Sequence, residues 1–442
     1  MRRVCLTLPT NRACAPALLG LLDEAAYGAR EFGVEVEVLV LDSAPAPVVA
    51  EHRRVLGGRP ASPGVNVHHL DEDAQRAVLA RAVARAGVAD PDGVLELLLP
   101  DAVSYGACTD RAFLLAEALG CTSVHRRDSD SRYQLLDGAP VFPIQQELAA
   151  IGLPAGEVAG RIGRGRLARL GPDAAELPVA VVGASFVGEL SVDLAEILAL
   201  DPRVHGELVG LALPPSTPAL WREQAIREAF RGAGTEPFRA DRAQLGAVAP
   251  NRIDMCNLAL SRELYGRVPL PPATETIGTD YFLLHVAQHA ALPGVLHNRH
   301  IVNFHTGERR TDSGRLAYHL RLAKFLLLSG RLGDLYTAMA ATGPALLTEP
   351  GRLAALVRAT AADPAPDDPR RLATVEHAYR RLGPTWAPVA DALAAHRPRL
   401  LHRARTDLED FATLLDAWPA LLDAAGSAPL TPAPAPSGPS SR

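Results

Sequence analysis

Two rhythms of hydrophobic and polar positions run through the first 130 residues. Val4-Cys5-Leu6-Thr7-Leu8 is a short apolar run ended by Pro9, which predicts a strand. Residues 14–32 carry Leu18, Leu22, Ala25 and Ala29 at helical spacing. Val34 to Leu41 alternates at first and then becomes continuously apolar, the pattern of a strand entering a buried sheet, and it stops at Asp42-Ser43. A Pro/Gly-rich connection over 57–64 leads to a helix at about 71–87 and a further apolar run, Val94 to Leu99. Residues 105–119 predict a helix with Cys108, Ala112, Leu115 and Leu119 on one stripe. The strand Thr122-Ser123-Val124-His125 follows and runs into Arg126-Arg127-Asp128-Ser129-Asp130-Ser131-Arg132. Such alternation predicts an α/β fold, a mostly parallel sheet flanked by helices.

Beyond residue 130 the rhythm loosens. Gly160 to Gly171 reads as a Gly/Arg-rich loop, Val179 to Gly183 as a strand and Ser191 to Leu200 as a helix. A helix is predicted from Pro218 to Phe230, a short strand entering a helix at Asn257 to Arg262, and a helix from Asp280 to Ala291. Leu296 to Phe304 is strand-like and ends at His305. From about 311 only helical patterns follow, at 331–342, 350–361, 371–382, 386–396 and 400–425 among others. These patterns divide the chain into an α/β unit over 1–310, a helical C-terminal region over 311–426, and a Pro/Ala/Ser-rich tail over 427–442 with a disordered composition. The helical region is expected to pack on the α/β unit or to form a homodimer through it.

Composition narrows the classes. The 442 residues are 48% hydrophobic and 21% charged, with a net charge of −5, which argues against a nucleic-acid coat or a membrane-surface protein. Arginine supplies nearly all the basic charge, Lys324 being the single lysine. The five cysteines, at 5, 14, 108, 121 and 256, form no C-x-x-C pair and read as small buried residues in a reducing compartment. The apolar run after Met1-Arg2-Arg3 is one strand long, so no signal-peptide core is expected. No apolar stretch approaches the roughly 20 residues of a membrane helix. A cytoplasmic protein is expected.

The chemistry gathers at predicted strand ends. In open α/β sheets the ligand crevice lies beyond the carboxyl ends of the strands, and three polar clusters sit there: Pro9-Thr10-Asn11-Arg12, Asp42-Ser43 and Asp128-Ser129-Asp130. Two aspartates separated by one small residue face the same side when the turn between them is tight. Their hard oxygen donors suit Mg²⁺ or Mn²⁺, which grips a diphosphate. Arg12, Arg127, Arg299 and Arg309 are candidate phosphate clamps. His285 and His289, four apart on a predicted helix, open a different reading, a zinc hydrolase, although no Glu follows His285 as in H-E-x-x-H.

In order and spacing these segments resemble glycosyltransferases of the GT-A fold, in particular family-2-like enzymes and their retaining relatives. The resemblance rests on Leu8-Pro9-Thr10-Asn11-Arg12, the strand-terminal Asp42, Gly106-Ala107-Cys108-Thr109-Asp110-Arg111, Arg127-Asp128-Ser129-Asp130, Asn257 to Arg262, Thr279-Asp280 and His305. It covers about residues 3 to 310 and implies a Rossmann-like sheet and a metal-dependent transfer of sugar from a UDP- or GDP-sugar to a small-molecule acceptor.

The resemblance also implies roles for residues. Asp128, Asp130 and His305 would ligate the metal, and Pro9, Thr10, Asn11, Arg12, Asp42, Arg111, Arg127 and Asp128 would hold the donor. Asp280 would orient or deprotonate the acceptor. One departure is that Thr279 stands where the family carries Glu, so the acidic pair is single and the stereochemical outcome stays open. A nucleotide-binding protein of the same fold without transfer activity is the remaining alternative.

Overall fold

The opening apolar run forms strand β1 (Arg3–Thr10) in the computed structural model, which describes residues 1–162, 173–189, 194–213, 217–304, 307 and 311–427. Helix α1 (Ala15–Phe32) and strand β2 (Glu35–Asp42) follow. β2 pairs in parallel with β1 from Arg3 opposite Glu35 to Thr10 opposite Asp42, so two of the polar strand ends share one edge. Helix α2 (Ala46–Gly57) leads to β3 (Val65–Asp71), parallel to β2. This strand gave no apolar signal, because Val67 is exposed and His68 and His69 interrupt the pattern.

Asp71 caps helix α3 (Glu72–Ala86) by accepting from the Ala74 N–H. The apolar run at 94–99 belongs to helix α4 (Pro91–Leu98), started by Asp90 as cap and Pro91 in the first turn. Helix α5 (Tyr105–Ala118), capped by Ser104, then feeds β4 (Ser123–Arg127).

The middle of the chain is built from short pieces. These are β5 (Ser131–Tyr133), β6 (Leu135–Leu136), β7 (Ala139–Pro140), α6 (Ile144–Leu148), α7 (Ala155–Ile162), β8 (Val181–Gly183) and β9 (Phe186–Gly188). Helices α8 (Ala195–Leu200), α9 (Pro202–Gly210) and α10 (Ala219–Glu228) precede β10 (Ala243–Ala247), β11 (Asn257–Ser261) and α11 (Arg262–Tyr265). Helix α12 (Phe282–His289) leads to β12 (Pro293–His297) and β13 (Ile301–Asn303). The expected single strand at 296–304 is therefore two strands, and they lie in different sheets.

The main sheet has eight strands in the order β10-β12-β8-β11-β4-β1-β2-β3. Strands β3, β2, β1, β4, β8 and β12 run one way, and β11 and β10 run against them. A second sheet joins β5, β13 and β9. The mostly parallel, helix-flanked sheet expected from the sequence is present.

The C-terminal helices are α13 (Asp312–Thr342), α14 (Ala345–Thr348), α15 (Arg352–Ala362), α16 (Asp368–Arg381) and α17 (Ala387–Gly426). The two patterns at 386–396 and 400–425 form one helix of 40 residues with Pro398 and Pro419 inside it. An interior proline costs about 3 kcal/mol of helix stability. Burial of Leu408, Phe411, Trp418 and Leu421 offsets that cost.

Helix α17 packs on α3 and α5, and Trp418 Nε1 donates to the Tyr265 carbonyl at 2.9 Å. One apolar cluster runs from Cys5, Leu39 and Leu41 of the sheet through Phe113 to Leu335 and Trp418. The α/β and helical regions thus share a core across residue 311. The tail beyond Ser427 lies outside the described residues, as do 163–172 of the Gly/Arg-rich loop.

Candidate active site

Strand order reverses between β1 and β4, since β2 and β3 extend to one side of β1 and β4 lies on the other. A crevice opens beyond the carboxyl ends at such a switch point. Strand β11 runs against β4 with Asn257 opposite Arg127, so the loop entering β11 reaches the same edge.

The Asp128-Ser129-Asp130 turn lies at this edge, directly after β4, and is tight, as the spacing predicts. Ser131 Oγ donates to the Asp128 carbonyl at 2.8 Å and closes it. The turn is tied to the end of β13, where the Phe304 N–H donates to the Asp130 carbonyl at 3.1 Å. Arg12, from the loop after β1, places Nη1 3.7 Å from Asp130 Oδ2.

Arg126 draws the downstream acid in. Its Nη1 donates to Asp280 Oδ2 at 2.8 Å, and its Nη2 lies 3.3 Å from Asp128 Oδ1. Arg126 is 3% exposed. Burial opposes its charge, but Asp128 and Asp280 more than reverse this and raise its pKa well above the ordinary value. Burial raises the Asp280 pKa and the Asp128 charge adds to the rise, while Arg126 opposes both.

Asp280 occupies the 3₁₀ turn Thr279–Tyr281 that starts α12. Gly278 permits this approach, having φ of 76°, and a Cβ there would lie 2.5 Å from the Phe325 ring.

A third acid, which the sequence pattern did not single out, joins from the loop before β11. Asp254 Oδ2 accepts from Tyr281 Oη at 2.9 Å, and its Oδ1 accepts from the Cys256 N–H at 3.1 Å and from Cys256 Sγ at 2.6 Å. Burial raises its pKa, and the negative charge of Asp128 pushes the same way. Arg126 and Asp254 were legible only after pairing was known. Arg126 looks like one of many arginines, and Asp254 sits in no motif.

Several sequence candidates lie elsewhere. Arg127 turns to the opposite face of β4, as alternation along a strand requires. There it pairs with Glu24 at 2.9 and 2.8 Å and with Glu147 at 2.9 Å. It is 2% exposed and is committed to this network rather than to a ligand. Arg111 is buried and donates to the Leu98 carbonyl at 2.8 Å.

The whole Gly106–Arg111 segment clasps the 270–272 loop. Asp110 Oδ1 accepts from the Leu270 N–H at 2.8 Å, and a Cβ on Gly106 would meet the Pro271 carbonyl oxygen at 2.0 Å. The segment is thus packed into the fold, and Arg111, expected at the donor, is buried against the Leu98 carbonyl. Arg299 forms a forked pair with Asp241 at 2.6 and 2.8 Å. His305 and Arg309 lie outside the described residues.

Asp42 ends β2 beside Thr10 but is fully buried. Its Oδ2 faces His52 Nδ1 and His69 Nε2, each at 2.8 Å, and its Oδ1 accepts from the Ala44 N–H at 3.0 Å. The three groups offer ligand atoms within 4.8 Å of one another. His52 Nε2, however, accepts from the Cys14 N–H at 3.1 Å. That bond leaves the ring proton on Nδ1, facing Asp42, and a protonated nitrogen cannot ligate. The trio is therefore a hydrogen-bonded brace behind the β1 and β2 ends.

It is also the only such trio among the described residues. His285 stacks on Tyr336 at 3.9 Å, and burial followed by the charge of His289 lowers its pKa to about 3. The zinc reading of His285 and His289 finds no third ligand among the described residues.

A family model described as "Family of unknown function (DUF6271)" matches residues 2–434. The chain belongs to DUF6271. No curated protein matches this DUF6271 chain. Among solved structures it is similar to the mannosyltransferase PcManGT from Pyrobaculum calidifontis in complex with GDP-Man and Mn²⁺. The identity is 15% and the TM-score 0.37, over 97% of this chain and 87% of that one. It is also similar to S. aureus TarS 1-349, with 13% identity and a TM-score of 0.31, over 95% of this chain and 91% of that one. No helix among the described residues is long and apolar enough to cross a membrane.

Proposed function

We propose that this chain is a glycosyltransferase that moves a sugar from a UDP- or GDP-linked donor to a small hydroxyl acceptor, with Mn²⁺ or Mg²⁺ as cofactor. The observation that carries the reading is Arg126, whose guanidinium joins Asp128 of the acidic turn to Asp280 at the switch-point crevice. A solvated surface loop has no reason to bury a cation between two distant acids. A site that handles a diphosphate and a hydroxyl nucleophile together does.

The donor set at the turn fits a hard divalent ion. Asp128 and Asp130 supply carboxylate oxygens from a turn closed by Ser131, and in the proposed assignment His305 completes the set. Such an ion, when bound, neutralises charge on a departing nucleoside diphosphate. Pro9, Thr10, Asn11 and Arg12 border the nucleoside and diphosphate, with Arg12 reaching toward the acidic turn. Asp42 supports this wall from beneath through His52 and His69. Asp280, its carboxylate fixed by Arg126, faces the acceptor side and orients the hydroxyl or takes its proton.

Asp130→Ala tests the reading. The variant is expected to keep the fold by circular dichroism and to lose metal-dependent turnover of its donor. Wild-type turnover in the variant would contradict the assignment.

A further inference from the structure

The acceptor side of the crevice holds two carboxyl groups, and their surroundings differ. Asp280 is 4% exposed and its Oδ2 is held by Arg126. The Arg126 ion pair occupies that oxygen, and the near-complete burial leaves Asp280 little surface from which to reach a hydroxyl. Asp254 is only half-buried and makes no ion pair with Arg126 among the described contacts. It is carried by the loop that enters β11 beside the carboxyl end of β4. Tyr281, the neighbour of Asp280 in the 3₁₀ turn, anchors one Asp254 oxygen, and Cys256 anchors the other. A carboxylate has about four lone-pair sites, so this anchoring fixes the orientation of Asp254 while leaving acceptor capacity.

We infer that Asp254 is the catalytic base for the acceptor hydroxyl and that Asp280 is the positioning acid beside it. The inference rests on the glycosyltransferase reading above and divides between two residues a role that the sequence assigned to Asp280 alone. In the step, the acceptor O–H bond breaks and its proton passes to Asp254. The oxygen forms a bond to the anomeric carbon of the donor sugar. The bond from that carbon to the diphosphate oxygen breaks, and its electron pair leaves on the nucleoside diphosphate. Burial raises the proton affinity of Asp254 and of Asp280 alike, so the exposure and the Tyr281 and Cys256 anchors of Asp254 are what separate the two acids.

The test uses the full chain with MnCl₂ and UDP-glucose, UDP-N-acetylglucosamine and GDP-mannose in turn, with water as the acceptor. Release of nucleoside diphosphate is followed by chromatography, and binding of UDP or GDP with Mn²⁺ by thermal shift. Asp254→Asn is expected to slow release by about 100-fold, the usual worth of a positioned base, with the nucleotide-induced shift unchanged. Asp254→Glu is expected to recover part of the rate.

Tyr281→Phe, which removes one anchor and leaves the carboxylate, is expected to lose less than Asp254→Asn, and it serves as the second probe if the Asn variant fails to fold. Release by Asp254→Asn at the wild-type rate, or by Tyr281→Phe at a rate as low as complete base removal, overturns the inference. A wild-type chain that binds nucleotide but never releases it from a donor also overturns it. A wild-type chain that binds no nucleotide removes the glycosyltransferase reading itself.

Discussion

Arg126 donates to Asp280 at 2.8 Å across 154 residues of sequence. The bond links the strand bearing the acidic turn to the turn that starts α12. The same guanidinium lies 3.3 Å from Asp128, so one buried cation sets the spacing of two acids.

Replacing Arg126 by Met should therefore damage both stability and chemistry. Removing one partner of a buried ion pair costs about 3–5 kcal/mol, because the other charge is left uncompensated. Chemical denaturation measures that loss. Donor turnover per folded molecule should fall as well, since Asp280 loses the group that orients it. A stable Met variant with full turnover would show that the bridge is incidental.

The neighbouring arginine predicts a contrast. Arg127 neutralises Glu24 and Glu147 on the other face of β4, and Tyr133 and the Ile144 N–H also donate to Glu24. Arg127→Met is expected to lose a similar few kcal/mol of stability, yet to bind nucleotide normally wherever it remains folded. Calorimetry on the folded fraction checks this. A selective loss of nucleotide binding would restore Arg127 to the donor site.

This pair of adjacent arginines shows what the sequence made legible. The strand rhythm located β1, β2 and β4, and the polar residues at their ends lie together at one edge of the sheet. The Asp128-Ser129-Asp130 turn was visible because its geometry is local. Which arginine faces the crevice depends on the phase of β4 within the sheet, and a five-residue strand buried on both faces carries no hydrophobic alternation to reveal it. Asp254 was invisible for a related reason. Its importance comes from β11 pairing with β4, a long-range relationship with no local signature. Strand β3 was missed because its side chains are mostly half-exposed.

Asp42 offers a third prediction. Its oxygens are occupied by His52, His69 and the Ala44 N–H. Asp42→Ala leaves the buried His52 and the half-buried His69 without this acceptor, at about 1–3 kcal/mol for each unsatisfied buried group. The melting midpoint should fall more than nucleotide affinity does. A variant with an unchanged midpoint but weakened nucleotide binding would assign Asp42 a direct contact with the base.

Two buried histidines should weaken the fold as the pH falls below about 6.5. Burial, followed by the charge of His289, lowers the His285 pKa from 6.5 to about 3. Burial is also the main cause that lowers His297 from 6.5 to about 3. Below pH 6.5 the unfolded chain takes up these protons and the native chain does not, so stability falls as pH drops from about 6.5 toward 3. Asp110 and Asp254, with raised pKa values, act with the opposite sign, which makes a direct comparison necessary. His297→Phe should flatten the fall between pH 6.5 and 4.5 in urea denaturation, relative to wild type. An identical slope in both would contradict the assignment of His297 as a buried neutral histidine.

The central claim is that the switch-point crevice holds a nucleoside diphosphate together with a divalent cation. The most direct measurement is thermal denaturation of the full chain with UDP or GDP, with Mn²⁺, and with both. Little change is expected with either alone, with a clear rise of the midpoint when one nucleotide and Mn²⁺ are present together and loss of that rise in Asp130→Ala. A midpoint that ignores every nucleotide and metal combination, or a rise that survives Asp130→Ala intact, would contradict it.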